Sequence, residues 1–286
     1  MNSLTRFIIA GVFVAGAIGL NGCGGSGTGS SNGGLGGGVS GTRAPFQVLD
    51  LATGLSTAVA SIGDLDTNPA YRTTRMAFKL VNVPSGYIGS ASGAPGAALD
   101  PAAAAAGAPA FYLAAFETTQ AQWQLIAGNT PWTTLASAQG VDDVRVGSDY
   151  PAVGVTLTAA QQAVQNFRAA SGITLAVPSD LQWELACRAG GNGTYAWGNA
   201  VAPAATAAVV WETAGDVRGA RQVGGRTPNS LGLYDLHGNV WELTSGAHLR
   251  GGSWNDPLVV GRAAHQADID TDTAHLLVGV RFVLVP

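Results

Sequence analysis

The run from Gly232 to Leu243, GLYDLHGNVWEL, constrains this chain more than any other stretch. Asp235 and Glu242 stand seven residues apart around the step Gly238-Asn239, where glycine lets the backbone turn sharply. A loop curled there brings two carboxylates and the intervening carbonyl oxygens to one point, an oxygen-only donor set that suits calcium. A plainer reading also satisfies the residues: an ordinary turn, with glycine for backbone freedom and Trp241 in the core. His237, inside the turn, reads as a solvated loop residue.

Residues 1–22 carry Arg6 and then an uncharged apolar run from Phe7 to Leu20, too short for a comfortable membrane span and suited to a secretory signal. Leu20, Gly22 and Cys23 resemble a bacterial lipobox, which implies lipidation of Cys23; an ordinary cleaved signal with an incidental Cys is the alternative. Residues 23–42 then form the anchor and a Gly/Ser-rich tether, whose composition buries too little apolar surface to order. The expected location is exported and lipid-anchored to a bacterial membrane, at the outer membrane or cell surface. Residues 43–286 show no second linker and read as one domain. A net charge of -4 and a single Lys, Lys79, offer no clustered basic surface, which excludes nucleic acid as a partner. Cys23 and Cys187 are the only cysteines; with Cys23 committed to the anchor, no intramolecular disulfide is expected.

Within the domain, alternation from Met76 to Ser90 around Pro84-Ser85-Gly86 predicts two strands and a tight turn. Ala91 to Ala110 lacks periodicity and reads as a surface loop. Phe111 to Glu117 predicts a strand, followed by a helix capped by Thr118 or Thr119 that buries Trp123 and Ile126. Ala160, Ala163, Val164 and Phe167 lie on one face of a second helix, with Thr158 as N-cap and Gly172 as its stop. Ser179 and Gln182 form the capping-box pattern of a third helix, in which Cys187 behaves as a small buried hydrophobe.

Taken together, GLYDLHGNVWEL, the run VPSDLQWELACRAGG (177–191), YAWGN (195–199), LRGGSW (249–254) and GVRF (279–282) resemble, in order, the signatures of the formylglycine-generating enzyme, or sulfatase-modifying factor, family. The resemblance spans about Phe78 to Val283. It implies an α+β, C-type-lectin-like fold with mixed sheets, a few helices and much irregular loop. It also implies one structural calcium ion held by the side chains of Asp235 and Glu242 and the carbonyls of Gly238 and Val240, Asp235 replacing an Asn ligand. The family's other calcium site is doubtful, since Val209 occupies a position where Asn is expected.

Enzymes of the family hold copper with two Cys shortly after R-G-G-S, and thiolates are what select Cu(I). Residues 255–261 read Asn, Asp, Pro, Leu, Val, Val and Gly, so no copper is expected and no catalytic residue is assigned. A second branch, the variable proteins of diversity-generating retroelements, resembles the chain more closely. In that branch adenine-directed mutagenesis of Asn codons excludes Lys, Glu, Gln, Met and Trp, and between Asn255 and Leu277 only Gln266 breaks this rule. Positions that relatives fill with Asn, Asp or Arg hold Leu258, Val259, Val260, Ile269, His275, Leu276 and Leu277. The resemblance implies a variable ligand-binding region over 255–277. Asn255, Asp256, His265, Ala267, Asp268, Asp270, Thr273 and Ala274 complete the candidate contact residues. The expected surface is an exposed apolar patch with an acidic rim, facing an unidentified protein or cell-surface ligand. A divergent enzyme or pseudoenzyme of the family is the alternative.

Overall fold

The computed structural model describes residues 43–83, 110–139, 144–215 and 218–285. Cys23, the predicted signal and tether, the second strand of the 76–90 pair and nearly all of the 91–110 loop lie outside them. The described residues 44–285 build two sheets around a large apolar core.

Six strands form the first sheet: β1 (Phe46–Asp50), β2 (Ser56–Val59), β3 (Arg75–Val81), β4 (Phe111–Ala114), β5 (Thr174–Ala176) and β10 (Val283–Val285), in the order β2-β1-β3-β4-β10-β5, all antiparallel. Its inner face carries Leu49, Met76, Phe78, Tyr112 and Leu284 into the core. The second sheet orders β8 (Gln266–Asp268), β7 (His248–Arg250), β6 (Trp241–Leu243) and β9 (Val278–Gly279), with β6 and β9 parallel. These mixed sheets, a few helices and long irregular connections are the α+β architecture expected.

Helix α1 (Gln120–Ala127) starts in a capping box of Thr119 with Gln122, ends at left-handed Gly128, and buries Trp123 and Ile126. Helix α2 spans Pro131–Gln139. Helix α3 (Leu157–Ser171) stops at Gly172 as predicted, with its four apolar residues buried. Its N-cap, however, is Thr156, whose hydroxyl accepts from Ala159 N at 3.0 Å, rather than Thr158. Helix α4 (Asp180–Arg188) begins in the predicted Ser179/Gln182 box, with Cys187 fully buried.

One strand expectation is corrected. β4 ends at Ala114 rather than Glu117, because Glu117 turns inward onto Val240. Within LRGGSW, β7 stops at Arg250, since Gly251 (φ 88) and Gly252 (φ 73) are left-handed and break the extended backbone. Of GVRF only Gly279 lies in a strand, β9; Val280 to Phe282 are irregular, and β10 begins just after them at Val283. The N-terminal pair β1 and β2, unread in the sequence, forms the sheet's outer edge.

Candidate functional site

Three left-handed residues curl the loop that precedes β6: Asp235 (φ 58), Gly238 (φ 91) and Asn239 (φ 63). Gly238 is obligatory, because a Cβ there would stand 2.0 Å from the Val209 carbonyl oxygen. Asn tolerates this region better than most side chains, and here it is also clamped. Its Oδ1 accepts from Arg221 N at 2.8 Å, and its Nδ2 donates to Glu117 at 2.5 Å. Glu117 accepts from Val240 N as well, at 3.1 Å, so one buried carboxylate from the segment after β4 pins the loop from beneath.

Glu242 faces Arg281, whose Nη2 donates to it at 2.6 Å while Nε reaches both oxygens, and Trp183 Nε1 donates at 2.7 Å. Arg281 also donates to the carbonyls of Ala114 (3.0 Å) and Tyr234 (2.8 Å), joining the two sheets through one guanidinium. Asp235 accepts from Gly224 N at 2.6 Å.

Glu117, Asp235 and Glu242 are all buried, and Arg281 pairs with one of them. Burial, reinforced by the charges of Asp235 and Glu242, pushes Glu117 well above the usual carboxylate range. Burial also pushes Asp235 up to about 6, against the pull of the Gly224 amide. For Arg281, burial favours the neutral form but Glu242 beside it prevails, and the guanidinium stays protonated.

This negative excess bears on calcium. The donors are oxygens only, and among the described residues the carbonyls of buried Gly238 and Val240 accept no hydrogen bond. Both facts fit a hard cation. Glu242 would have to share its oxygens with Arg281 and Trp183, and among the described residues no three His, Cys, Asp or Glu side chains form a metal cluster. The donor set therefore depends on the two carbonyls as much as on the carboxylates.

His237 corrects the solvated-loop reading: it is buried. Nε2 accepts from Ala196 N at 3.0 Å, so Nδ1 carries the proton and donates to Gly261 O at 2.7 Å. Trp197 meets the ring edge-on at 4.7 Å between centroids. Burial drives its pKa down to about 4, so the imidazole is a neutral clip between the loop and segment 194–198. Cys187 lies 3.5 Å from Nε2 at full burial, which pushes its thiol far up and leaves it unreactive.

Residues 255–277 run from Trp254 to β9 and include β8, which pairs with β7 at the edge of the second sheet. Leu258 is corrected: at 5 % exposure it packs with Tyr195, Ala204, Ala208 and Val210, so it is core and not a contact residue. Val260, Ala267, Ile269, Leu276 and Leu277 are half-buried against the main core. The wide apolar patch therefore contracts, with Val259, 52 % exposed, as its one large apolar side chain more than half in solvent. Asp256 turns onto Ser253, whose Oγ donates to it at 2.5 Å. Asn255, Asp268, Asp270, Asp272, Thr273 and His275 are exposed, and His265 and Ala274 half-buried, with His265 against the Trp241 ring.

Both ends of this segment meet at one cavity of about 210 Å³, where Trp254, Asn255, His275, Leu276 and Leu277 face Arg145, Val153 and Ala220. Beside Asp256, whose carbonyl accepts from Trp211 N at 2.8 Å, the Trp211 ring is 45 % exposed with the Arg218 guanidinium stacked 3.6 Å above it. Sequence reasoning missed Arg145 and Arg218: each is a lone basic residue in loop, and only the fold brings it to this wall.

Residues 67–285 match the family model of the sulfatase-modifying factor enzyme 1-like domain. The chain is 37 % identical over 114 residues to the inactive C-alpha-formylglycine-generating enzyme 2 of Mus musculus, covering 33 % of this chain and 36 % of that protein. It is also 37 % identical over 78 residues to the formylglycine-generating enzyme of Mycobacterium tuberculosis, covering 24 % and 26 %. It thus spans about a third of the length of the curated relatives it matches first. Among solved structures, Treponema denticola variable protein 1 superposes with a TM-score of 0.60 at 17 % identity, over 74 % of this chain and 96 % of that one. PvdO from Pseudomonas aeruginosa gives 0.51 at 17 % identity, over 73 % and 91 %. At such identities the likeness is one of fold.

Proposed function

Since the chain belongs to the sulfatase-modifying factor enzyme 1-like family, we propose that it is a binding member: an exported, lipid-anchored, non-catalytic protein of the diversity-generating-retroelement variable type that presents residues 255–277 to a protein or cell-surface ligand. The observation that carries this reading is the cavity at which both ends of that segment meet. A fixed frame of strands on either side lets side chains at the rim change without unfolding the domain. Residues 255–261 supply no thiolate for copper, and buried Cys187 does not replace one. The name of the mouse relative, an inactive enzyme, and the shared fold with a variable protein point the same way.

Calcium at Asp235, Glu242 and the carbonyls of Gly238 and Val240 is the proposed structural ion. It would offset the buried negative charge and tie down the loop on which β6 depends. Lipid on Cys23 is the proposed anchor. Metabolic labelling with a palmitate analogue tests it, and a Cys23→Ala protein that still partitions with membranes counts against it.

The reading as a variable protein is tested in DNA. A near-identical copy of the segment encoding residues from about 250 onward should lie near the gene, beside a reverse transcriptase, with Asn codons at the differing positions. Lack of such a copy, together with oxidation of a sulfatase-derived Cys peptide by the purified protein in copper and oxygen, overturns the proposal in favour of the enzyme.

A further inference from the structure

The cavity's chemistry is one-sided. Arg145 carries its formal charge, and no Asp or Glu lines it. Arg145 Nη2 donates to the Arg218 carbonyl at 2.7 Å, and Gly219 lies so close that a Cβ there would approach Nε to 2.9 Å. The guanidinium is therefore seated, while among the described residues its remaining N–H groups donate to no acceptor. His275 Nδ1 accepts from Leu277 N at 3.1 Å, which leaves the proton of the neutral ring on Nε2, a further donor. Trp254 adds its side chain to the wall. Around these donors stand the apolar side chains of Val153, Leu276 and Leu277.

The volume limits the occupant. At about 210 Å³ the cavity lies below the roughly 300–1,000 Å³ of pockets that hold whole drug-sized ligands. It suits one amino-acid-sized group. We infer that this cavity is an anchor pocket for a carboxylate attached to an apolar, amino-acid-sized group, with Arg145 and the neighbouring His275 N–H taking the carboxylate and Val153, Leu276 and Leu277 the apolar part. The inference deepens the ligand-binding reading and rests on it: it makes Arg145, outside residues 255–277, a fixed recognition residue of an otherwise variable surface. Both a peptide C-terminus and a free amino acid carry this chemistry.

The test is calorimetric titration of the full chain with N-acetyl-phenylalanine, free phenylalanine and N-acetyl-phenylalanine amide. Charge-assisted hydrogen bonds predict that the better carboxylate binds about ten- to a hundredfold more tightly than the amide. Tighter binding of the acetylated compound assigns the pocket to a peptide terminus, and tighter binding of the free amino acid to a metabolite. Arg145→Gln should erase the preference for carboxylate at an unchanged Tm, Arg145→Lys should restore part of it, and Leu276→Asn should weaken every probe alike. Equal binding of amide and carboxylates, or no binding of either carboxylate up to about 10 mM, overturns the inference. Neither result bears on the variable-protein reading, which stands or falls on the template copy.

Discussion

Asp235→Asn is the sharpest probe of the buried loop, because it removes one charge and almost no volume. Asn keeps a carbonyl oxygen for the Gly224 N–H that now reaches Asp235 at 2.6 Å. With the carboxyl pushed up to about 6 from 3.8, its ionisation in the folded protein costs about 3 kcal/mol at neutral pH. An unpartnered N–H on the new amide takes back about 1 kcal/mol, so the variant should be more stable than the parent by about 2 kcal/mol at pH 7.5 in chelator, or about 5 °C in Tm for a domain of this size. A group whose folded pKa is raised stabilises fully below its unfolded value and loses that stabilisation as pH rises through the folded one. The advantage of the variant should therefore vanish on acidification from about 6 to about 4. Urea denaturation of both proteins across this range measures it. The difference between the two proteins isolates Asp235 from His237, whose own titration runs the opposite way. Saturating calcium should reverse the sign, since the ion favours the ionised carboxylate. A variant that is less stable by a constant amount at every pH in chelator refutes the electrostatic argument, and a difference indifferent to calcium refutes the ion.

Three further outcomes are expected. His237→Gln should cost about 2–3 kcal/mol at pH 7.5, from the lost clip and ring packing. Because a depressed folded pKa of about 4 stabilises fully above 6.5 and less as pH falls, that cost should shrink toward pH 5, as urea titrations will register. Gly238→Ala should cost at least about 3 kcal/mol or fail to fold, since the new Cβ meets the Val209 carbonyl and φ is 91°; retention of the parental Tm contradicts the loop geometry. Leu258→Ala should cost about 2–4 kcal/mol whereas its neighbour Val259→Asn stays within about 0.5 kcal/mol, and similar melting shifts for the two would contradict their placement.

Much of the frame was legible because its signals are local. The capping boxes at Thr119 and Ser179, the apolar face from Ala160 to Phe167 and the stop at Gly172 each combine periodicity with an end signal a few residues away. The buried network was not legible beyond its motif. Glu117 reaches Asn239 across 122 residues and Arg281 reaches the Ala114 carbonyl across 167, and neither separation leaves a pattern in sequence. The burial of His237 is hidden for the same reason: Ala196 and Gly261, which satisfy its ring, are distant in the chain. In 255–277, apolar residues at polar positions suggest an exposed patch. Burial explains part of that composition, because Val260, Ile269 and Leu276 lean on the core while Val259 does not. Alternation cannot separate such cases in a segment that is mostly irregular.

The placement of β10 gives this architecture its own proofreading. That strand lies downstream of residues 255–277, yet it sits inside the first sheet, paired to β4 on one side and β5 on the other. A nonsense codon or frameshift anywhere in residues 255–277 deletes the one strand that joins the two parts of that sheet, and removes Arg281 with it. Truncated products are thereby left with open strand edges and an unneutralised Glu242, which marks them for aggregation or proteolysis. Missense changes at the exposed rim spare the seam. Under the proposed function, diversity at the surface would thus be filtered for reading-frame integrity by the fold itself, before any ligand is encountered.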